Sequence, residues 1–429
     1  MRRVLVGMWI VVCIGGGKAM PAVAETSTPD SVKPLHALVS AYLATSDAAE
    51  AESLFAKILT HPDAALSTIS QMLREDYPAI QAPVGFQPNR PVRVRNQTHG
   101  FGLYVPMSYT PEKAYPLVIC LHGAGFTGDA YLERWQPRLG ESYILACPTY
   151  GPGAWWTRFG EELVLATIRA VQMQYHIDPN RVYLTGMSNG GIGTWIIGMH
   201  HAMTFAGIAP MASGIDTVLY PFLENLRQTA VYIIHGSQDR VMPVWLSREL
   251  DKELTRLGIA HIYREHHRSH PLAGGHFFPR EELPALVQWF AAHIRNPFPR
   301  RITLVRDASH LSRFGWVFIR ATDPIAYFSE NLFDSPDEYL KDRIYARLEA
   351  LIEKPNHIVV QTRRVRRYTV FLNEELVDLS KPVRIVTNGQ LSFEGVVKPN
   401  LSTLLREARR RHDPAMLFPV EVTVTVPKE

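Results

Sequence analysis

The chain has 429 residues, 46% hydrophobic and 20% charged, which fits a globular protein with length for two or three domains. Its net charge is only +4, with both signs mixed along the chain, and this argues against nucleic acid as the main partner. Two arginine clusters, Arg363, Arg364, Arg366 and Arg367 and then Arg409, Arg410 and Arg411, read as solvated edges or helix faces.

The chain opens MRRVLVGMWIVVCIGGGKAMPAVAE. Two arginines, an apolar run and the small residues Ala22, Val23 and Ala24 give the layout of a secretory signal peptide, residues 1–24. The apolar run is short for a membrane span, so the expectation is export, to a periplasm or the outside, without stable membrane insertion. Val12 before Cys13 is bulky where a lipoprotein signal wants a small residue. Cys120 and Cys147 sit in apolar strand-like runs and are expected to be buried thiols.

Residues 25–88 form a helical N-terminal segment: Leu35, Leu38, Val39, Tyr42 and Leu43 fall on one helix face. Proline-rich residues 82–91 end it. Residues 89–297 then alternate strands with helices. The strands are VRVRN, FGLYVP, LVICLHG, YILACP, VYLTG, FAGIAP, VYIIHG and HIYRE. Helices are expected at 160–175, 245–257 and 281–295. Short apolar strands alternating with helices imply an α/β fold with a mostly parallel sheet flanked by helices. The first two strands lie too close in sequence for a helix and predict an antiparallel start. Residues 298–429 read as a separate β-sandwich-like domain, with a hairpin at Asn388-Gly389 and one helix at about 337–353. Trp316 and Tyr327 there read as core, or as contacts for a polysaccharide.

Gly186-Met187-Ser188-Asn189-Gly190 fits G-x-S-x-G, directly after the strand VYLTG and before a helix-like run. A strained strand-to-helix turn needs small neighbours, and the helix start favours a developing oxyanion. Ser188 is therefore the candidate nucleophile. It needs a base, and His276 in AGGHFFP follows the last strand, with His266, His267 and His270 as competitors. Asp239, after VYIIHG, is the acid that orients it, with Asp216 as the weaker alternative. Oxyanion donors are expected from Asn189 N–H and Ala124 N–H, with Gly125 second to Ala124. His122 reads as a structural hydrogen-bonding residue of that loop. Trp155 and Trp156 read either as aromatic faces for substrate or as core. The histidines near 270 carry no metal-ligand spacing and no nucleotide-binding motif is present, so no metal or cofactor is expected.

YPLVICLHGAG, IDPNRVYLTGMSNGGIGTW, IIHGSQDRVMPV and GGHFFP together resemble the α/β-hydrolases, in particular esterases, polyhydroxybutyrate-depolymerase-like and prolyl-oligopeptidase-like proteins. The resemblance covers about residues 90–296. It implies a cofactor-free serine hydrolase with Ser188, Asp239 and His276 as triad, acting on a small-molecule or polymeric ester. A peptidase of the same fold and a non-catalytic binding protein on a hydrolase scaffold are the rival readings. Oligomeric state leaves no mark in the sequence.

Overall fold

A computed structural model describes residues 29–75, 82–151, 153–310, 313–329 and 338–427. The signal-peptide reading of residues 1–24 lies outside the described residues. No described helix is long and apolar enough to cross a membrane.

Three helices come first: α1 (Pro29–Ala44), α2 (Ala48–Leu59) and α3 (Leu66–Glu75). Leu35, Val39 and Tyr42 bury the expected face of α1, and Asp47 caps α2 by accepting from Glu50 N. Eight strands follow: β1 (Gly85–Val94), β2 (Gln97–Val105), β3 (Tyr115–Leu121), β4 (Ile144–Pro148), β5 (Ile177–Met187), β6 (Gly207–Met211), β7 (Ala230–Gly236) and β8 (His261–His266). They form one sheet in the order β1-β2-β4-β3-β5-β6-β7-β8. As the short β1–β2 spacing predicts, these two are antiparallel; β2 is antiparallel to β4, and every later pair is parallel. Pro91 sits in β1, an edge strand, where a missing donor is tolerated.

The helices between are α4 (Gly128–Leu139), α5 (Arg158–Gln172), α6 (Asn189–His200), α7 (Trp245–Leu257) and α8 (Leu283–Ala292). Alternate strand residues explain the two layers. Val118, Cys120, Leu145 and Tyr183 face Leu132 and Trp135 of α4 and Trp289 and Phe290 of α8. Leu117, Ile119, Leu121 and Leu184 face Leu163 of α5 and Trp195 of α6. Cys120 and Cys147 are free and buried, as expected. From β3 the chain steps to β4 on one side, then crosses back to β5 on the other. That reversal opens a crevice at the carboxyl ends of β3 and β5.

The remaining elements are β9 (Arg301–Arg306), β10 (Arg313–Phe314), β11 (Val317–Thr322), α9 (Glu338–Lys341), β12 (Ala346–Lys354), β13 (His357–Arg363), β14 (Val365–Leu372), β15 (Val383–Thr387), β16 (Gln390–Gly395), α10 (Leu401–Arg411) and β17 (Val420–Thr425). They build a four-stranded and a five-stranded sheet. Asn388 and Gly389 both take positive φ between β15 and β16, the hairpin their dipeptide predicts.

Three expectations need correction. The helix expected at 337–353 is only α9 followed by β12. The helix-forming letters ARLEALIEK bury Ala346, Leu348, Ala350 and Ile352 on alternate positions, and pairing with β9 and β13 on both sides overrides propensity. Of the arginines at 409–411, only Arg410 is on a solvated face. Arg411 pairs with Glu407 in the core, and Arg409 donates to the carbonyls of Tyr42 and Thr45. Finally, the C-terminal sheets are not separate from the first sheet. One apolar cluster runs from Leu117 and Ile208 through Ile302, Trp316 and Tyr368. Trp316 is core, its Nε1 donating to Pro299 O.

Two polar clamps reinforce that join. Buried Arg295 donates to Met203 O, to Asn180 Oδ1 and, with two nitrogens, to Asp413. The second clamp gathers Glu161 of α5, His200 and His201 at the end of α6, and Asp307 and His310 beyond β9. His200 Nδ1 lies 2.7 Å from Glu161 Oε1 and His201 Nε2 3.0 Å from Oε2. His310 Nδ1 lies 2.7 Å from Asp307 Oδ2 and its Nε2 3.1 Å from Glu161 Oε1. The His200 and His310 rings stack, centroids 3.7 Å apart, so each ring spans the two carboxylates. Burial opposes charge on Glu161, His200, Asp307 and His310. For the carboxylates the facing histidines prevail and hold both below their usual range. For His310, hydrogen bonds to Asp307 and Glu161 prevail over burial and lift its pKa to about 10.

Because the His310 pKa is raised, its contribution to stability is complete below the ordinary value of 6.5 and is lost as pH rises through about 10. The melting temperature of the wild type should therefore fall more steeply over that window than that of His310→Gln; parallel slopes would contradict the clamp. Arg295→Met strands a partly buried Asp413 carboxylate and should lower unfolding free energy by about 3–5 kcal/mol in urea titrations. A loss below about 1 kcal/mol would mean the pair is replaceable by water.

Candidate active site

Ser188 stands between β5 and α6 with φ 61° and ψ −124°, a conformation that a non-glycine residue adopts only under constraint. The constraint is close packing. A Cβ on Gly190 would lie 2.0 Å from Leu121 O, and one on Gly186 would lie 2.5 Å from Gly190 O. Only glycine lets the first turn of α6 sit this near the end of β3. The turn is thus the sharp strand-to-helix elbow that the G-x-S-x-G spacing predicts.

Asn189 is the first residue of α6, so its N–H belongs to the helix-start donors that lack an intrahelical acceptor. The loop after β3 passes alongside. A Cβ on Gly123 would lie 3.5 Å from Ser188 Cβ. A Cβ on Gly153 would lie 3.4 Å from the Asn189 side-chain Nδ2 and 3.8 Å from the Ala124 backbone, so Gly153 lets its loop pass close to both residues.

His122 is fully buried, with Nδ1 2.8 Å from Gly123 O and Nε2 accepting from Tyr150 N. Burial pushes its pKa down, and the two bonds fix the neutral tautomer protonated on Nδ1. It shapes the loop, as expected. Trp155 does the same and is a correction to the substrate-facing reading. Its side chain is fully buried, its Nε1 donates to His122 O, and it packs where a Cβ on Gly193 would be. Trp156 is half-buried and lines a cavity beside α6.

Asp239 and His276 meet directly: His276 Nδ1 lies 2.8 Å from Asp239 Oδ2. The Asp239 carboxyl is buried, while the His276 side chain keeps 11% exposure. Asp239 Oδ1 accepts from the N–H groups of Val241 and Met242 at 2.8 Å each. Burial pushes the carboxyl up, but hydrogen bonds from His235, His276, Met242 and Val241 outweigh it and hold the group well below its usual range. Asp239 is thus a permanent anion facing His276 Nδ1, which sets the proton on that nitrogen.

Main-chain bonds tie the ends of the four strands β5 to β8 together. Ser188 N donates to Met211 O, Ala212 N to Ile234 O, and Ser237 N to His266 O. The His276 loop is pinned to the Asp239 loop by Gly275 N to Gln238 O and by an Asp239–Gly274 bridge. The rival histidines are scaffolding. His266 Nε2 faces Phe277 O, His267 Nδ1 faces Ser237 Oγ, and His270 bridges Gly274. Asp216 caps the short helix over 217–228.

One supporting residue escaped the sequence reading. His235 is fully buried, with Nε2 3.0 Å from Met242 O and 3.3 Å from Asp239 Oδ2, and Nδ1 2.7 Å from Ser247 Oγ. It anchors the carboxylate from behind. Its only signal in the sequence is the four-residue spacing in HGSQD. Glu161, His200 and His310 bring ligand-type atoms within 4.8 Å of one another, the one such group among the described residues. Glu161 Oε1 already stands 2.7 Å from His200 Nδ1 and 3.1 Å from His310 Nε2, as groups sharing protons do.

No protein-family model matches the chain. Over 115 residues it is 30% identical to poly(3-hydroxyalkanoate) depolymerase C of Paucimonas lemoignei, covering 23% of this chain and 28% of that protein. Over 154 residues it is 27% identical to a probable feruloyl esterase C of Aspergillus terreus, covering 33% of this chain and 55% of that one. Over 240 residues it is 25% identical to an uncharacterized peptidase of Bacillus subtilis, covering 44% and 36%. The chain spans between 28% and 55% of the length of these curated relatives. With this sheet order and this elbow the chain has the α/β-hydrolase fold, and its sequence is similar to esterases, a polyhydroxyalkanoate depolymerase and a peptidase.

Proposed function

We propose that the protein is an exported serine hydrolase that cleaves carboxylic esters, small or polymeric, through an acyl-enzyme on Ser188. The observation that carries this is the buried Asp239 carboxylate bonded to His276 Nδ1, beyond the carboxyl ends of β7 and β8, in the same sheet whose β5 ends at a strained Ser188. Ser188 Oγ attacks the acyl carbon. His276 Nε2 takes its proton and returns it to the leaving alcohol oxygen. Asp239 holds the ring in the required tautomer and stabilises the imidazolium. Asn189 N–H and Ala124 N–H receive the oxyanion. Water, deprotonated by His276, then releases the acid and restores Ser188. No cofactor enters these steps.

Ester cleavage is favoured because two of the three relatives carry depolymerase or esterase names. Peptide cleavage is the second reading, motivated by the Bacillus subtilis peptidase.

The protein from Glu25 onward should hydrolyse p-nitrophenyl acetate and butyrate at neutral pH. Ser188→Ala should fall to background, and Asp239→Asn should lose roughly ten-thousandfold in kcat. A panel of aminoacyl amides against simple esters decides between the two readings: faster amide turnover supports the peptidase. Folded wild type that turns over neither class would sink both.

A further inference from the structure

The cluster at the far end of α6 holds more ligand-type atoms than a salt bridge needs. Glu161, His200, His201, Asp307 and His310 converge there from α5, the end of α6 and the chain beyond β9. None of them belongs to the histidine run near 270. Both carboxylates are buried and face histidines.

One carboxylate oxygen gathers two rings. Glu161 Oε1 lies 2.7 Å from His200 Nδ1 and 3.1 Å from His310 Nε2, with the two rings stacked. A carboxylate only accepts, so His200 Nδ1 carries the proton. Its Nε2 is then a lone pair with no hydrogen-bond partner, in a side chain only 5% exposed. The neighbour at 4.0 Å is Asp307 Oδ2, another acceptor. Protonating Nε2 as well would stack a second imidazolium on His310, which burial and the charge of His310 oppose. Protons alone therefore leave a buried mismatch at His200.

A cation in place of the Nδ1 proton removes the mismatch. The ring then carries its proton on Nε2, and a small rotation brings it to Asp307. His310 already directs Nδ1 to the same carboxylate at 2.7 Å. Asp307 thus backs both rings, as an outer carboxylate does for a metal-bound imidazole. His201 Nε2, 3.0 Å from Glu161 Oε2, steadies the other oxygen.

Two imidazoles and a carboxylate suit zinc, whereas calcium and magnesium take mostly oxygen. Zinc stands about 2.0–2.2 Å from such atoms, which spaces neighbouring ligands about 3.3 Å apart, so modest side-chain rotations admit it. Charge closes as well, because a dication balances the two carboxylates when the imidazoles are neutral. His201 and His310 keep 24% and 12% exposure, so the cluster lies close to solvent.

We propose that Glu161, His200 through Nδ1 and His310 through Nε2 bind one zinc-class divalent ion, with Asp307 fixing both rings from the outer side. On loading, the His200 proton moves from Nδ1 to Nε2, and the proton between His310 and Glu161 leaves for solvent. At a rise of 1.5 Å per residue, His200 stands about 18 Å from Ser188 along α6. The ion therefore fastens α5 and α6 to the chain beyond β9 and does not touch the reacting atoms. The pH window given above for His310 is that of the metal-free protein.

The test titrates chelator-treated wild type with ZnCl2 in a calorimeter. One equivalent should bind with Kd below about 1 µM and raise the melting temperature by several degrees, where MgCl2 does not. His310→Gln should lose that equivalent while keeping the wild-type circular dichroism. Asp307→Asn lies outside the ligand set and should weaken zinc roughly 10–100-fold at unchanged stoichiometry. X-ray absorption of zinc-loaded wild type depends on no variant and should show two imidazoles and no sulfur. Wild type without a tight equivalent overturns the inference and leaves a clamp of protons alone. A tight equivalent that survives in folded His310→Gln, or a metal shell without imidazole, overturns it by placing zinc elsewhere.

Discussion

The approach of the first turn of α6 to the carboxyl end of β3 is the contact on which the rest of the site depends. Leu121 O and Gly190 are so close that no side chain fits between them, and the chain can pass only by turning sharply at residue 188. That turn costs about 1–3 kcal/mol of backbone strain at Ser188. The cost is offset because both flanking elements are immobilised: β5 is buried on both faces, and α6 is buried along nearly its whole length. The strain buys position. It lifts the serine hydroxyl out of the sheet edge while the helix start stays directly behind it.

The same logic of burying charge only where it is matched extends across the molecule. Asp239 is anionic because four hydrogen bonds outweigh its burial, and two of these come from His235 and His276, both at Oδ2. Glu161 and Asp307 repeat the arrangement at the other end of α6, holding His310 between them. α6 therefore carries a catalytic candidate at its first turn and an ionic clamp at its last. Residues after β9 supply half of that clamp, and His310, Phe328 and Ser329 line the cavity beside it. They shape the catalytic half instead of trailing it. The N-terminal helices are fastened in turn to α10, with Leu35, Phe55 and Ile69 packing against Leu404 and Leu405.

Much of the sheet and of the candidate site was legible in the sequence. Apolar runs such as LVICLHG and VYLTG can only be satisfied by burial on two faces, and the turn glycines mark where those runs end. The Asp239–His276 pair followed from residue type and position after successive strands. What failed has a common cause in long-range pairing. ARLEALIEK has helical letters, yet its neighbours on both sides are strands. Arg411 looks solvated until Glu407 and Gly315 O are placed around it. Trp155 follows a strand end like a binding residue, but the glycine opposite it, Gly193, makes room for it inside. His200 and His310 lie 110 positions apart in the sequence, and no local pattern announces that they stack.

The central claim is that Ser188 is an activated nucleophile, and covalent labelling tests it without assuming any substrate. Folded protein should be exposed to a fluorophosphonate probe and the adduct located by peptide mapping. Stoichiometric label on Ser188, lost in Ser188→Ala and strongly slowed in His276→Ala, is the predicted result. A folded wild type that takes no label, or takes it at another residue, would contradict the account.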